Sequence, residues 1–156
     1  MRIGQGLDVH AFSSDPRRAL VLGGVVIPGA PGLEGHSDAD AVTHALLDAL
    51  LGAAGLGDLG RHFPDTDEAS AGISSLLLLD QVVTKLDDAG FEALSADVTI
   101  VAQTPKLAAH MGAMAEILTT RLGAPVSVKA TTTEHLGALG RSEGIAALAV
   151  ALVHAT

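Results

Sequence analysis

The sequence predicts a single layered α/β (α+β) domain, and three observations lead there. The chain has 156 residues, enough for one domain and too few for two ordinary ones. Strand-like stretches alternate with longer stretches that carry helix start and stop signals, the pattern of helices layered on a sheet. No internal repeat and no low-complexity linker divides the chain.

Residues 2–11 alternate loosely and open the chain as a strand. Residues 19–22 and 25–27 flank Gly23-Gly24, a turn dipeptide, and are expected to form a hairpin. Residues 29–35 form a Pro/Gly loop. A helix is expected over residues 38–54, with Ser37 as N-cap, Asp38 and Asp40 at the positive end of its dipole and Gly55 as its stop. Residues 55–69 (GLGDLGRHFPDTDEA) are polar and turn-rich, a loop long enough to carry function. A second helix spans about 73–89, with Gly90 at its end, and a strand follows at about 94–102. The third helix is expected to begin with Thr104 as cap and Pro105 in the first position, and to end near Leu122 before Gly123. Residues 124–129 read as a short strand. The last run, residues 145–154, stays open: its Ala/Leu content favours helix, while a continuous apolar run also suits a buried strand.

Composition narrows the classes of function. Charged residues make up 17% of the chain, against about 25% in ordinary soluble domains. A domain this small exposes much of its surface, so the low charge predicts surface buried against other subunits of a homo-oligomer. The formal net charge of −9 argues against a nucleic-acid partner, whose phosphates need Lys and Arg. It is compatible with a small phosphorylated substrate, because metals and backbone amides supply local positive potential. There is no cysteine, which rules out disulfides and thiolate metal sites. The opening MRIGQGLDVHAF has no signal-peptide pattern, and no apolar run approaches the ~20 residues of a membrane span. A soluble, cytoplasmic protein with no membrane partner is expected.

Four constellations carry chemistry. Asp8-x-His10 on a strand places a carboxylate and an imidazole on one face, where they can share a divalent ion. His36-Ser37-Asp38-x-Asp40 leads into a helix on which His44 and Asp48, four residues apart, share a face. His44 supplies a third ligand, and Asp48 is placed to accept from its other ring nitrogen. Three protein ligands and one open position describe a catalytic zinc site; without cysteine the ligands are N and O, which Mn2+ or Co2+ also accept. The run Lys129-Ala-Thr-Thr-Thr-Glu134 offers hydroxyls and amides to a phosphate, and Glu134 offers a hard oxygen to Mg2+. In the loop GLGDLGRHFPDTD, Asp58, Asp65 and Asp67 can hydrogen-bond sugar or polyol hydroxyls. These residues by themselves reach a metal-dependent enzyme acting on a phosphorylated substrate.

RIGQGLDVHAF, LGGVVIPG, HSDADAVTHALLDALLGAAGLGDLGRHFPDTD, VTIVAQTPKL and VKATTTEHLGALGRSEGIA span nearly the whole chain in order. Together they resemble the 2-C-methyl-D-erythritol 2,4-cyclodiphosphate synthases of the non-mevalonate isoprenoid pathway. The resemblance implies a homotrimer of α/β subunits, each a mixed β-sheet with helices on one side, with three active sites at the subunit boundaries. It implies zinc (or Mn2+/Co2+) at Asp8, His10 and His44, and Mg2+ or Mn2+ held with the substrate diphosphate by Glu134. His36, Ser37, Phe63 and Asp65 would meet the methylerythritol phosphate portion, and Asp58 and Gly60 the ribose. Ala102, Pro105, Lys106, Leu107 and Ala108 of a neighbouring subunit would form the cytosine pocket. Thr131, Thr132 and Thr133 would lie near the diphosphate, and the final run would be a strand.

The implied reaction converts 4-diphosphocytidyl-2-C-methyl-D-erythritol 2-phosphate, a cytidine diphosphate substrate, to the cyclic diphosphate with release of CMP. His36, Thr133 and Asp48 are the candidate catalytic residues. Two alternatives use the same constellations: a metal-dependent phosphohydrolase with water as nucleophile, and a non-enzymatic trimeric isoprenoid-phosphate-binding protein. The chain departs from the family in Gln5 and Leu7, neither a ligand, and in Ala138, where many members place an aromatic lining a cavity on the threefold axis. Arg141 and Glu143 remain near that axis by resemblance.

Overall fold

Strand β1 (Arg2–Ala11) sets the plan of the molecule through its two faces. Gly4, Gly6, Asp8 and His10 turn inward, while Ile3, Leu7 and Val9 on the other face are exposed, as the two-residue period of a strand requires. The inward glycines let a helix lie almost in contact with the strand. A Cβ on Gly4 would stand 2.0 Å from the carbonyl oxygen of Ala49, and one on Gly6 1.9 Å from that of Ala45. In this computed structural model, which describes residues 1–64 and 72–156, that helix is α1 (Ala41–Ala54).

The remaining elements are β2 (Ala19–Leu22), β3 (Val25–Pro31), α2 (Leu59–His62), α3 (Ser75–Asp88), β4 (Phe91–Val101), α4 (Met111–Leu122), β5 (Val126–Thr131), α5 (Gly137–Gly140) and β6 (Gly144–Ala155). The main sheet has the order β1-β6-β4-β5 and is mixed: β4 and β5 run parallel, the other neighbours antiparallel. Strands β2 and β3 form a separate hairpin. Helix α1 packs on β1, β6 and β4, α3 on β4, and α4 on β5, all over the inward face. Helix α1 is buried on nearly every side, the mark of a helix at the centre of a domain. Its Leu46, Leu47, Leu50 and Leu51 are fully buried, each stabilising the fold by roughly 1.5–3 kcal/mol.

The open final run is a strand, β6, as the resemblance implies. Paired on both sides, it points Ile145, Ala147, Ala149, Ala151 and Val153 at α1. Alanine serves here for closeness of packing under the helix and not for helix propensity. Two expected helix starts are corrected. Helix α1 begins at Ala41 with Asp40 as its N-cap; Ser37 instead accepts from the N–H of Ala39 at 3.2 Å, outside the helix. Helix α4 begins at Met111, after His110, rather than at Pro105. Residues 103–110 form a loop with a cis Thr104–Pro105 peptide and buried Leu107, closed by a hydrogen bond from the N–H of His110 to the Leu107 carbonyl. A four-residue helix, α2, stands within the expected loop, and a second, α5, precedes β6.

Candidate functional site

The first turn of α1 is held in place by one carboxylate. Asp40 is fully buried, and its Oδ1 accepts from the N–H of Thr43 (3.0 Å) and of Gly23 (2.8 Å). Its Oδ2 accepts from the N–H of Gly24 (2.8 Å) and from the Thr43 hydroxyl (2.7 Å). Burial pushes the Asp40 carboxyl above its ordinary pKa, and these donors pull against that rise. The carboxylate thus caps the helix and ties it to the turn of the β2–β3 hairpin. With the helix start fixed there and its middle pressed on Gly4 and Gly6, His44 faces the inward end of β1.

There Asp8, His10 and His44 converge. Each offers one ligand atom, and the three lie within 4.8 Å of one another. Asp8 Oδ2 stands 2.8 Å from His10 Nε2 and 3.3 Å from His44 Nδ1. His10 Nδ1 lies 2.5 Å from the Glu34 carbonyl oxygen; a carbonyl only accepts, so Nδ1 carries the hydrogen and Nε2 keeps its lone pair. Asp8 Oδ2 and His10 Nε2 are both buried, and among the described residues neither has an aligned hydrogen-bond partner. Two electron-rich atoms facing each other in a buried site are costly unless a cation lies between them. The O, N, N donor set fits a divalent ion of the zinc, manganese or cobalt kind.

A proton is the other cation the pair can hold. Burial raises the Asp8 carboxyl, but His10 and His44 beside it more than reverse this and lower it to about 2. The Asp8 carboxylate in turn raises His10 above its ordinary value, against the opposing effect of burial. A metal ion entering the site has to displace that proton.

His44 has a different set of partners on its far nitrogen. Nε2 lies 2.8 Å from the hydroxyl of the fully buried Ser75 and 3.2 Å from that of Ser37. The Ser75 hydroxyl donates to Asp38 Oδ1, and its backbone N–H donates to Asp38 Oδ2 at 3.0 Å. Backbone bonds from Asp38 N–H to the Ile73 carbonyl and from Gly72 N–H to the His36 carbonyl fasten the two segments together. Asp48 is therefore not the partner of the second His44 nitrogen, as its spacing had suggested. It accepts from the N–H of Leu59 at 2.7 Å and so anchors α2. Burial raises the Asp48 carboxyl, the Leu59 N–H opposing.

A cleft of about 290 Å³ opens over this centre. Of the residues singled out in the sequence, it gathers Asp8, His10, His36, Ser37, His44, Asp48, Gly60 and Phe63. Asp58 is not among the residues lining it; it is the N-cap of α2, next to the lining Leu59 and Gly60, and accepts from the N–H of Arg61 at 2.9 Å. A second, smaller cleft with no residue in common is lined by Ala102, Pro105, Lys106, Leu107, Thr131 and Thr132. Ala108 follows in the same loop and is exposed. Thr133 donates its hydroxyl to the Leu136 carbonyl at 2.7 Å. Glu134 is exposed, is not among the three clustered ligands, and accepts from the Thr132 hydroxyl at 2.9 Å. Arg141 pairs with Glu143 at 2.6 Å. Asp65 and Asp67 lie outside the described residues. The sequence reading missed Ser75 and the Glu34 carbonyl and saw in Asp38 only a helix-dipole charge. The one cue to Ser75 was the pair of serines interrupting an apolar run at residues 73–79.

The YgbB family model matches residues 1–154. A protein of Desulfosudis oleivorans named 2-C-methyl-D-erythritol 2,4-cyclodiphosphate synthase is 56% identical over 156 residues, covering 98% of this chain and 92% of the relative. The structure of the bifunctional IspDF from Campylobacter jejuni superposes with a TM-score of 0.93 at 42% identity, over 99% of this chain. This chain spans 42% of that bifunctional protein. The Plasmodium falciparum IspF, solved as a CDP complex, gives a TM-score of 0.85 at 30% identity, covering 99% of this chain and 96% of that one. With a match that runs from the first strand through the last, and full-length relatives that share one name, the chain belongs to the YgbB family of 2-C-methyl-D-erythritol 2,4-cyclodiphosphate synthases.

Proposed function

We propose that this chain converts 4-diphosphocytidyl-2-C-methyl-D-erythritol 2-phosphate to 2-C-methyl-D-erythritol 2,4-cyclodiphosphate and CMP. The observation that carries the reading is the convergence of Asp8, His10 and His44 in a chain whose full-length relatives bear that synthase name. An oxygen of the substrate's 2-phosphate attacks the β-phosphorus, and the bond from that phosphorus to the oxygen shared with the α-phosphate breaks. The nucleophile is already an anion, so no protein group has to take a proton from it. The protein's work is positioning, neutralising charge and excluding water, as in other phosphoryl transfers.

Asp8, His10 and His44 hold Zn2+ (or Mn2+/Co2+), and Glu134 helps hold Mg2+ or Mn2+; the ions supply Lewis acidity at the phosphates. His36 and Ser37, which line the same cleft, hold the 2-phosphate in line, and Phe63 and Asp65 meet the methylerythritol portion. Asp58 and Gly60 approach the ribose. Asp48, holding α2 by Leu59, keeps that wall of the cleft in place. Ala102, Pro105, Lys106, Leu107 and Ala108 receive the cytosine of a substrate seated on the neighbouring subunit. Thr131, Thr132 and Thr133 face its diphosphate, and the Thr133 hydroxyl turns from the Leu136 carbonyl to donate there as charge shifts to the leaving group. Two clefts with no shared residue support this division of one active site between two subunits of a cytoplasmic homotrimer. Arg141 lies near the threefold axis.

Incubation with the proposed substrate, zinc and magnesium, followed by phosphorus NMR and mass analysis, tests the reading. The expected product is the cyclic diphosphate, with CMP released. A linear product heavier by one water would instead mean hydrolysis, and an intact substrate would mean a binding protein.

A further inference from the structure

We propose that Asp38 and Ser75 form a hydrogen-bond relay that fixes the tautomer of His44 and thereby presents its Nδ1 to the metal. The proposal rests on the reading of Asp8, His10 and His44 as metal ligands and adds two residues to that centre. Its direction follows from counting hydrogens. A carboxylate has none, so Asp38 only accepts. The Ser75 hydroxyl has one, and it goes to Asp38 Oδ1. At the Ser75 oxygen only lone pairs remain for His44 Nε2, 2.8 Å away. Nε2 must therefore be the N–H, which leaves the lone pair of His44 on Nδ1, the nitrogen 3.3 Å from Asp8 Oδ2.

The two histidines of the centre are thus set in opposite tautomers by opposite means. The Glu34 carbonyl holds the hydrogen of His10 on Nδ1 and frees Nε2. Ser75, polarised by Asp38, holds the hydrogen of His44 on Nε2 and frees Nδ1. Helix geometry does not dictate the second choice, because Ser75 comes from α3 and Asp38 from the loop before α1. The Ser37 hydroxyl is a weaker competitor: it stands 3.2 Å from the same nitrogen and already accepts from Ala39 N–H. Ser75 and Asp38 are positioning residues; they touch no substrate in this scheme.

The test is nitrogen NMR of metal-free protein carrying 15N-labelled histidine, together with zinc titration against a competing chelator. In the wild type, at a pH alkaline enough for His10 to have lost the extra proton it shares with Asp8, His44 is expected to carry its hydrogen on Nε2 and His10 on Nδ1. Ser75→Ala should remove the His44 preference, leave that of His10, and weaken zinc binding by about 10–100-fold, the usual range for partners of a metal ligand. In Asp38→Ala the Ser75 hydrogen is released, and it can donate to His44 Nε2 and drive the ring toward the Nδ1–H form. A purely structural role for Asp38 predicts no such reversal. Ser37→Ala should leave the His44 tautomer as it is. A wild-type His44 protonated at Nδ1 overturns the relay, and that spectrum does not depend on any variant folding. So does a folded Ser75→Ala protein with unchanged tautomer and zinc affinity. These readouts use the metal alone, so a protein that passes them and still releases no CMP would refute the proposed reaction and not the relay.

Discussion

His44 joins several parts of the site. It reaches Asp8 with one nitrogen, Ser75 and Ser37 with the other, and is itself almost fully buried. His44→Ala is expected to lose zinc retention and turnover together, measured by metal analysis of the purified protein alongside the cyclisation assay. Normal turnover in a metal-stripped His44→Ala protein would refute its role. The Asp8–His10 pair gives a pH dependence whose sign is fixed. Asp8 is lowered from 3.8 to about 2, so its contribution to stability is present above 3.8 and is lost as pH falls toward 2. His10 is raised above 6.5, so its contribution is complete below 6.5 and is lost as pH rises through the raised value. Metal-free protein should therefore draw most stability from this pair between about pH 4 and 6.5. Thermal melts in chelator across pH check this; Asp8→Asn should flatten both limbs, and superimposable profiles would count against it. Zinc binding should strengthen with rising pH over the upper limb, as the His10 proton leaves.

At the scale of elements, the contact between β1 and α1 decides whether the ligands meet. A methyl on Gly6 would strike the carbonyl and backbone of Ala45 and the nitrogen of Ala49, and none of these can yield as a flexible side chain would. Gly6→Ala is expected to cost about 1–3 kcal/mol or more and to weaken zinc binding by moving His44 away from Asp8. Denaturant melts and zinc titration check both effects, and a variant with wild-type stability would show that the helix stands farther off. The same contact explains what the sequence could and could not reveal. Asp8, His10 and His44 were legible because strand and helix periods place them on known faces. The β6 strand was not, because its outward residues are apolar too, so the two-residue alternation disappears. The start of α4 was misplaced because Pro105 gives a strong local signal while the reason for the loop, the anchoring of Leu107 in the core, is tertiary. Ser75 escaped notice because its partners, Asp38 and His44, are distant in sequence.

At the scale of the whole molecule, the outward face of the sheet is the feature that a single chain leaves unresolved. Ile3, Leu7 and Val9 of β1 are 72%, 57% and 56% exposed, and Val150 of β6 joins them at 42%. The low charge of the chain and this apolar face agree with a trimer that covers it. Val9→Glu is expected to give a folded subunit that sediments as a monomer and retains zinc but does not turn over, because the proposed site needs two subunits. A trimeric, active Val9→Glu protein would place the subunit contact elsewhere. In the proposed trimer strand β1 has no idle side: its inward positions carry closeness and chemistry, and its outward ones would carry association. Most edge strands tolerate replacement at every other position, where the side chain only meets water. A saturation scan along residues 2–11 should lack that rhythm, and neutral drift in this protein should bypass its first strand almost entirely.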